Sequence, residues 1–279
     1  MPEKRRLSKR TILAAILVIL CIPVVITINI NFLNDRSYYV TSLIIIALAM
    51  IPFALVFEGR KPMARELVVI AVMVAIAVGG RVAFFMLPQF KPVVAIVIIA
   101  GAALGAESGF AVGALSGFVS NFIFGQGPWT PWQMFAFGII GFVSGLVFYR
   151  LASAIGAPSR DGSMTSVVSG DEKWYETNRF GWNVRARKRV ENLRIAILCI
   201  FGGLITFALY GLLLDTAAAV IFASGDFTRA TLLATYRTGI PMNAVHAIAT
   251  IFFLFLLARP MIEKLERVKK KYGLLGAEA

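Results

Sequence analysis

The sequence predicts an all-α protein, a polytopic transmembrane helical bundle that crosses the bilayer about eight times. The first observation is composition, because apolar residues make up 58% of the 279-residue chain, whereas soluble domains contain about 45–50%. The second is that these residues form runs approaching the roughly 20 residues that a membrane-spanning helix needs. The third is that the basic residues, which give a net charge of +13, lie in clusters between the runs. Together these features indicate an integral membrane protein.

Eight apolar runs are the candidate spans, and the first of them follows a basic N-terminus. That run has no clear small-residue cleavage site, so it is interpreted as a retained span rather than a signal peptide. The fourth and fifth runs are short. They form either two tilted spans or the two arms of a re-entrant hairpin, which would reduce the count to six. The runs cover residues 12–32, 39–57, 66–85, 92–105, 110–124, 132–151, 193–214 and 243–257.

The basic residues predict the orientation of the spans, because cytoplasmic segments are enriched in Lys and Arg. Eight spans with the N-terminus inside place 23 of the 28 basic residues on the cytoplasmic side, all except Arg36, Arg81, Lys91, Arg229 and Arg237. We therefore expect a multi-pass protein of the cell membrane with both termini in the cytoplasm. The clustering favours membrane orientation over nucleic-acid binding. The long polar insertion at residues 152–192 would lie inside, against lipid headgroups or a cytoplasmic partner.

Small residues recur every four positions in the middle of the chain, a spacing that lets helix backbones approach closely in lipid. One series predicts internal helix packing and comprises Gly101, Gly105, Gly109, Gly113 and Gly117, with Gly141 and Gly145 repeating the spacing. The third run carries a related stripe of Ala71, Ala75 and Gly79. This stripe either packs internally or docks another membrane subunit.

Polar residues of four separate spans are predicted to share one level in the outer third of the membrane, where such residues commonly mark a binding cavity. They are Arg81, Asn121, Gln133, Asn243 and His246. The adjoining outer loops add aromatic and polar groups, namely Phe85, Gln89, Lys91, Gln126, Trp129, Trp132 and Tyr236. Aromatic walls with a few polar anchors are typical of a small-molecule site. We therefore predict that these twelve residues form an outward-facing binding site.

Some of these residues also have simpler interpretations. Trp129 and Trp132 are each typical of the aromatic belt at a membrane interface. His246 is typical of a hydrogen-bonded residue within a bundle, because no second His, Cys or carboxylate lies at metal-ligand spacing. We predict neither a metal site nor a cofactor.

The sequence contains none of the motifs expected of an enzyme or of an ATP hydrolase. It has no GxxxxGK[ST] phosphate-binding loop, no HExxH and no GxSxG. We predict no catalytic residue, and a binding site without its own energy source suggests a subunit that depends on other proteins. A stand-alone secondary transporter, a membrane-embedded enzyme and an assembly subunit are the alternatives.

Residues 64–151 resemble the substrate-binding S component of energy-coupling factor (ECF) vitamin transporters. The resemblance rests on a stretch that begins ARELVVIAVMVAIAVGGRVAFFMLPQFKP and continues through GFVSNFIFGQGPWTPWQMFAFG. It implies a six-helix, substrate-binding core at residues 59–279, preceded by two additional spans at residues 1–58. It also implies capture of a vitamin from outside, and association with a transmembrane T component and two cytoplasmic ATPases that drive import.

Two motifs carry more specific implications of this resemblance. Members of the family have an AxxxA motif that contacts the T component, and Ala71 and Ala75 match it, with Gly79 extending the stripe. The segments FEGRKPMARE and FGQGPWTPWQMFAFG are most similar to the cobalamin-type S components. Cobalamin or a related corrinoid is therefore the first substrate expected, with riboflavin or another vitamin as the alternative. His246 would then either meet the cobalt or hydrogen-bond within the bundle.

Overall fold

The computed structural model describes residues 63–154, 181–222 and 228–273, and this part of the chain is helical without strands. The two predicted N-terminal spans and most of the 152–192 insertion lie outside the described residues. A five-residue π-helical segment joins α5 to α6 without a break, so residues 181–222 form one long helix. The helices are α1 (Ala64–Ala83), α2 (Val93–Leu104), α3 (Ala106–Phe124), α4 (Trp129–Ala154), α5 (Gly181–Ile205), the π-helical segment (Thr206–Tyr210), α6 (Gly211–Phe222) and α7 (Arg229–Tyr272).

The predicted class, a helical membrane bundle, is confirmed. Four helical segments of the described chain are long and apolar enough to cross a bilayer: Ala64–Ala83, Trp129–Phe148, Glu191–Phe222 and Arg229–Lys269. They correspond to the third, sixth, seventh and eighth predicted runs. The fourth and fifth runs correspond to α2 and α3.

The central helix of the bundle is α2, which packs against α1, α3, α4 and α7. Eleven of its twelve residues are buried, so it is covered on all sides. A helix of this length rises only about 18 Å, too short to cross the roughly 30 Å hydrocarbon core unaided. Its neighbours shield it from lipid, which explains how a short span is accommodated. An apolar surface all round is what such a position requires.

A single residue, Gly105, separates α2 from α3, and its φ of 98° is one that glycine adopts without strain. Ser108, just after this turn, donates a 3.0 Å hydrogen bond to Glu66 at the start of α1. Lys269, near the end of α7, donates a 2.8 Å hydrogen bond to the Ala103 carbonyl. The turn therefore lies at the lower end of the bundle, where α1 begins and α7 ends. This position favours two passes over a re-entrant hairpin.

The contacts of α3 with α4 confirm the predicted internal packing for most of the glycine series; Gly105 is the exception, because a Cβ atom there would meet nothing within 4 Å. A Cβ atom at Gly113 would overlap the backbone of Phe137 and Gly138, and one at Gly141 would overlap the Gly109 backbone. Glycine at these positions lets the two backbones touch, as expected for helices that associate in lipid.

Several helix boundaries differ from the prediction, and α7 differs most. The sequence placed residues 229–242, including Tyr236 and Pro241, in an outer loop, but they form the first part of α7. The helix begins because the Thr228 side chain accepts a hydrogen bond from the Thr231 amide and so caps it. Pro241 removes one backbone hydrogen bond, but side-chain contacts with α6, from Tyr236 to Thr216 and from Asn243 to Asp215, support the helix on both sides of it. The loop assignment was therefore wrong.

The start of α4 was also placed too late. Trp129 and Pro131, assigned to an outer loop, form its first turn. Proline is tolerated in a first turn because its missing N–H would have no partner there.

Candidate functional site

The candidate site lies at the upper end of the bundle, where α1 and α3 end and α4 begins. Arg81, in the last turn of α1, is only 8% exposed. Its Nη1 donates to the Ser120 hydroxyl and, at 2.9 Å, to Oδ1 of Asn121. Asn121 in turn donates a 3.0 Å hydrogen bond to the Thr130 hydroxyl. One chain of hydrogen bonds thus joins α1, α3 and α4, and we call Arg81, Ser120, Asn121 and Thr130 the arginine group.

The connection between α3 and α4 places Asn121 opposite Thr130. Gly125 ends α3 with a φ of 97°, which reverses the chain. Thr130 then receives a 3.1 Å hydrogen bond at its hydroxyl from the Gly127 amide, and its own amide donates to the Gly127 carbonyl at 2.9 Å. These bonds close a tight turn, so two polar side chains nine residues apart face each other in the interior.

A second polar group lies between α4, the π-helical segment and α7. Gln133 donates through Nε2 to the Tyr210 hydroxyl over a long 3.4 Å. The His246 ring meets the Tyr210 ring edge to face, with centroids 4.5 Å apart. Phe137 stacks on Tyr210 with ring centroids 5.3 Å apart, and the Phe137 ring also lies 5.9 Å from the Arg81 guanidinium carbon. We call Gln133, Tyr210 and His246 the tyrosine group, and Phe137 connects it to the arginine group.

Oγ of Ser116, one turn before Ser120 in α3, is buried and has no hydrogen-bond partner among the described residues. The same is true of three atoms of predicted site residues. They are Nε1 of Trp132, Oε1 of Gln133 and Nδ1 of His246. A buried polar atom without a partner costs about 1–3 kcal/mol, so such atoms are rare in folded proteins and need an explanation. All three belong to residues that the sequence assigned to the binding site. A small molecule with donors and acceptors along its edge would satisfy them.

Positive charge is concentrated beside this region. The Arg81 guanidinium carbon lies 4.4 Å from the centroid of the Phe124 ring, and Nζ of Lys91 lies 5.5 Å from the same centroid. Lys91 belongs to the connection between α1 and α2 and also donates to the Leu87 carbonyl at 2.9 Å. Partial burial, and then the nearby Arg81 charge, lower the pKa of the Lys91 ammonium. Two cations therefore share one aromatic ring.

Four of the predicted residues converge as expected: Arg81 and Asn121 in the arginine group, and Gln133 and His246 in the tyrosine group. Trp132 lies beside Gln133 in the chain and is buried. Near the arginine group, the half-exposed Phe85 packs against Phe124 at 4.9 Å. Gln89 lies two residues before Lys91, with a positive φ of 56°.

The remaining predicted residues do not join the two groups. Gln126 is exposed and donates to the Phe118 carbonyl at 3.2 Å, and Trp129 is also exposed. Asn243 donates a 2.7 Å hydrogen bond to Asp215, and Tyr236 lies 2.7 Å from the Thr216 hydroxyl. The last two contacts hold α6 against α7. Because Tyr236 precedes His246 by ten residues, or about 15 Å of helix, it lies well beyond the tyrosine group.

Sequence reasoning gave no site role to Ser120, Thr130, Tyr210 or Asp215. Ser120 and Thr130 are polar neighbours of predicted positions, so adjacency to Asn121 and Trp129 was the available signal. Tyr210 is the last residue of the π-helical segment, and nothing in TFALY marks that conformation. The direction of its side chain follows from this irregular turn and could not be read from helical periodicity.

The stripe of Ala71, Ala75 and Gly79 lies on the opposite side of α1 from the core and is exposed. A Cβ atom at Gly79 would meet nothing within 4 Å. The buried side of the same helix carries Met73 and Ala77. Among the described residues, no helix covers this stripe, so internal packing against that part of the chain does not explain it.

Comparison with known families supports the resemblance seen in the sequence. Residues 61–162 match the family model of the ECF-type riboflavin transporter S component. The match includes α1 to α4, and with them the whole arginine group, Trp132 and Gln133, but neither Tyr210 nor His246. It supports an ECF S component, a transporter subunit rather than an enzyme. It gives no support to the expected cobalamin specificity. No curated protein and no solved structure matches the chain.

Proposed function

We propose that this chain is the substrate-binding S component of an ATP-driven ECF importer, which captures a vitamin from outside and delivers it inward with a T component and two ATPases. The observation that carries the proposal is the set of three unpartnered, buried polar atoms at the upper end of the bundle. Two of them come from the segment that matches the S-component model. A binding protein can keep such atoms because its ligand satisfies them.

Riboflavin is the first substrate that we propose to test. Its flat ring system has donors and acceptors along one edge, which suits the unpartnered amide oxygen of Gln133 and ring nitrogen of His246. Phe137 and Tyr210, stacked at 5.3 Å, supply the aromatic surroundings. The family model that the chain matches also bears the name of riboflavin transporters.

Cobalamin is the second substrate that we propose. His246 has a free Nδ1, but it is only 2% exposed and lies edge-on against Tyr210. Cobalt ligation would therefore require α7 to move away from the π-helical segment. Any ligand that contacts the buried atoms of Gln133 and His246 requires some opening of the bundle. A smaller, planar vitamin requires less, and this favours riboflavin.

We also propose that the exposed stripe of Ala71, Ala75 and Gly79 docks the T component. Small residues allow a second helix to approach closely where the hydrophobic effect gives no net attraction between helices in lipid. The exposed Val72 and Ile76 flank the stripe and would extend the contact. The predicted cytoplasmic location of both termini remains part of this proposal, because it places the proposed site on the outer side.

The test is to purify the chain in lipid nanodiscs, titrate it with riboflavin and with cobalamin, and co-express it with T and ATPase subunits. We expect one vitamin to bind and the subunits to co-purify. Gln133→Leu should weaken binding by about tenfold or more, because it removes a buried amide that the ligand must meet. Asn192→Leu, which removes an exposed amide at the lower end, is the matched control and should bind normally. Absence of both vitamin binding and co-purification would overturn the proposal.

A further inference from the structure

The positive charges of Arg81 and Lys91 lie beside the site, and a neutral vitamin offers no negative group to pair with them. We infer that the substrate carries an oxyanion, a phosphate or a carboxylate, which binds at Arg81 and Lys91; this inference rests on the proposed function. For a flavin, it means that the phosphorylated form, flavin mononucleotide (FMN), binds more tightly than riboflavin. The inference depends on three observations. The described hydrogen-bond partners of Arg81 are neutral, some of its N–H donors are unused, and Lys91 places a second positive charge nearby.

The first step is that Arg81 has no carboxylate partner among the described residues. Its hydrogen bonds go to the neutral side chains of Ser120 and Asn121. Asp215, the acid on neighbouring α6, is bonded instead to Asn243 at 2.7 Å. A buried arginine within a membrane bundle normally pairs with an acid or marks a functional site, because an uncompensated charge there is costly. A bound anion would provide the missing charge.

The second step is that the two hydrogen bonds of Arg81 leave most of its donors available. Both bonds come from Nη1, so Nε and Nη2 donate to no described residue. Ser120 is itself fixed by a 2.6 Å hydrogen bond to the Ser116 carbonyl, which holds the guanidinium in one orientation. The guanidinium fork matches carboxylate and phosphate oxygens in a bidentate arrangement. The anchored side chain thus presents the geometry that an oxyanion requires.

The third step is that Lys91 brings a second positive charge to the same ring. Arg81 and Lys91 both lie over Phe124, at 4.4 Å and 5.5 Å from its centroid. Two cations in this arrangement repel each other, and an anion bound at both would remove the repulsion.

The connection that carries Lys91 is held in place rather than loosely exposed. Phe90, its neighbour in the chain, packs on Phe253 of α7 at 5.4 Å and on Phe84 at 6.3 Å. Gln89 adopts a φ of 56°, which non-glycine residues rarely do unless the surroundings enforce it. The packing therefore fixes the backbone from which the second cation extends.

The experiment compares riboflavin with FMN, which differ only by the phosphate, on the full chain in nanodiscs of uncharged lipid. Binding is measured by quenching of flavin fluorescence. We expect FMN to bind at least about tenfold more tightly, as a charge-assisted bidentate contact implies. Arg81→Gln should remove this preference, and Arg81→Lys should restore part of it. Lys91→Gln should reduce the preference with little effect on folding, because Lys91 lies outside the helices.

The matched control is Arg237→Gln, which removes an exposed arginine from the upper part of α7 and should leave the preference unchanged. The pairs biotin with biotinamide and pantothenate with pantothenol extend the test to acidic vitamins. Tighter binding of an acid than of its neutral partner, lost in Arg81→Gln, would support the inference even if flavins do not bind. If riboflavin or cobalamin binds and no charged form is preferred, the inference fails and the proposed function stands. If nothing in the series binds, the inference fails, and the proposed function fails with it if the T and ATPase subunits also do not co-purify.

Discussion

One of the closest contacts between α3 and α4 predicts a large effect from a small substitution, Gly113→Ala. The added Cβ would overlap the carbonyl group of Phe137 and lie 2.8 Å from the Gly138 nitrogen. All three of these atoms belong to the backbone, so no side chain can rotate away, and the helices must separate. Alanine gains about 1 kcal/mol of helix propensity over glycine. Overpacking in a close-packed interior costs about 1–3 kcal/mol, and separating these helices also loosens their contacts with α2.

The same substitution at Gly79 is the matched control, because a Cβ there would meet nothing within 4 Å. Gly79→Ala should therefore keep the propensity gain and be neutral or slightly stabilising. We expect Gly113→Ala to unfold at a temperature lower than that of Gly79→Ala by several degrees, at about 2–4 °C per kcal/mol for a chain of this size. Thermal unfolding of both purified variants in detergent, followed by size-exclusion chromatography, measures the difference. An equal or higher unfolding temperature for Gly113→Ala would refute the close packing of α3 on α4.

Two further variants test the docking stripe and the α6–α7 contact. Ala75→Trp should prevent co-purification of the T component and the ATPases while leaving vitamin affinity unchanged, because the stripe faces away from the core. The control is Phe122→Trp, on an exposed position of α3. A complex that survives Ala75→Trp would exclude this docking surface. Asn243→Leu should lower the free energy of unfolding by about 1–3 kcal/mol, since it leaves the Asp215 carboxylate without its 2.7 Å partner. Thermal unfolding should show that adding Asp215→Leu restores much of this loss; if Asn243→Leu alone costs nothing, the contact is unimportant.

The positions of the helices in the described chain could be predicted from apolar runs because the bilayer imposes length and polarity together. Their boundaries could not. Tyr236 and Pro241 were assigned to an outer loop, but a threonine cap and the neighbouring α6 keep α7 helical there. The turn between α2 and α3 was placed at residues 106–109, whereas it is confined to Gly105. In each case a tertiary contact or a single backbone angle outweighed the local pattern.

For the site, the sequence could predict the depth of polar residues in the membrane more readily than the direction in which their side chains point. Arg81 and Asn121 were placed at one level by topology alone, and they are hydrogen-bonded. Gln126 was assigned to the adjoining outer loop as part of the site, but it turns toward the Phe118 carbonyl, because Gly125 reverses the chain just before it. Tyr210 was missed, since its orientation depends on the π-helical segment. Depth follows from hydropathy, whereas direction follows from turns that one sequence does not reveal.

The two proposed functions occupy opposite sides of one helix, and this makes them separable by mutation. Gly79 and Arg81 are two residues apart in α1, so the directions in which they face differ by about 200° around the helix axis. Arg81 is accordingly buried against α3, while Gly79 is exposed. A side chain introduced on the stripe cannot contact the ligand, because α1 lies between them. A substitution in the arginine group leaves the exposed residues of the stripe unchanged. Loss of ligand binding in Ala75→Trp would therefore indicate that α1 itself has shifted, which an unfolding measurement on the same variant would detect.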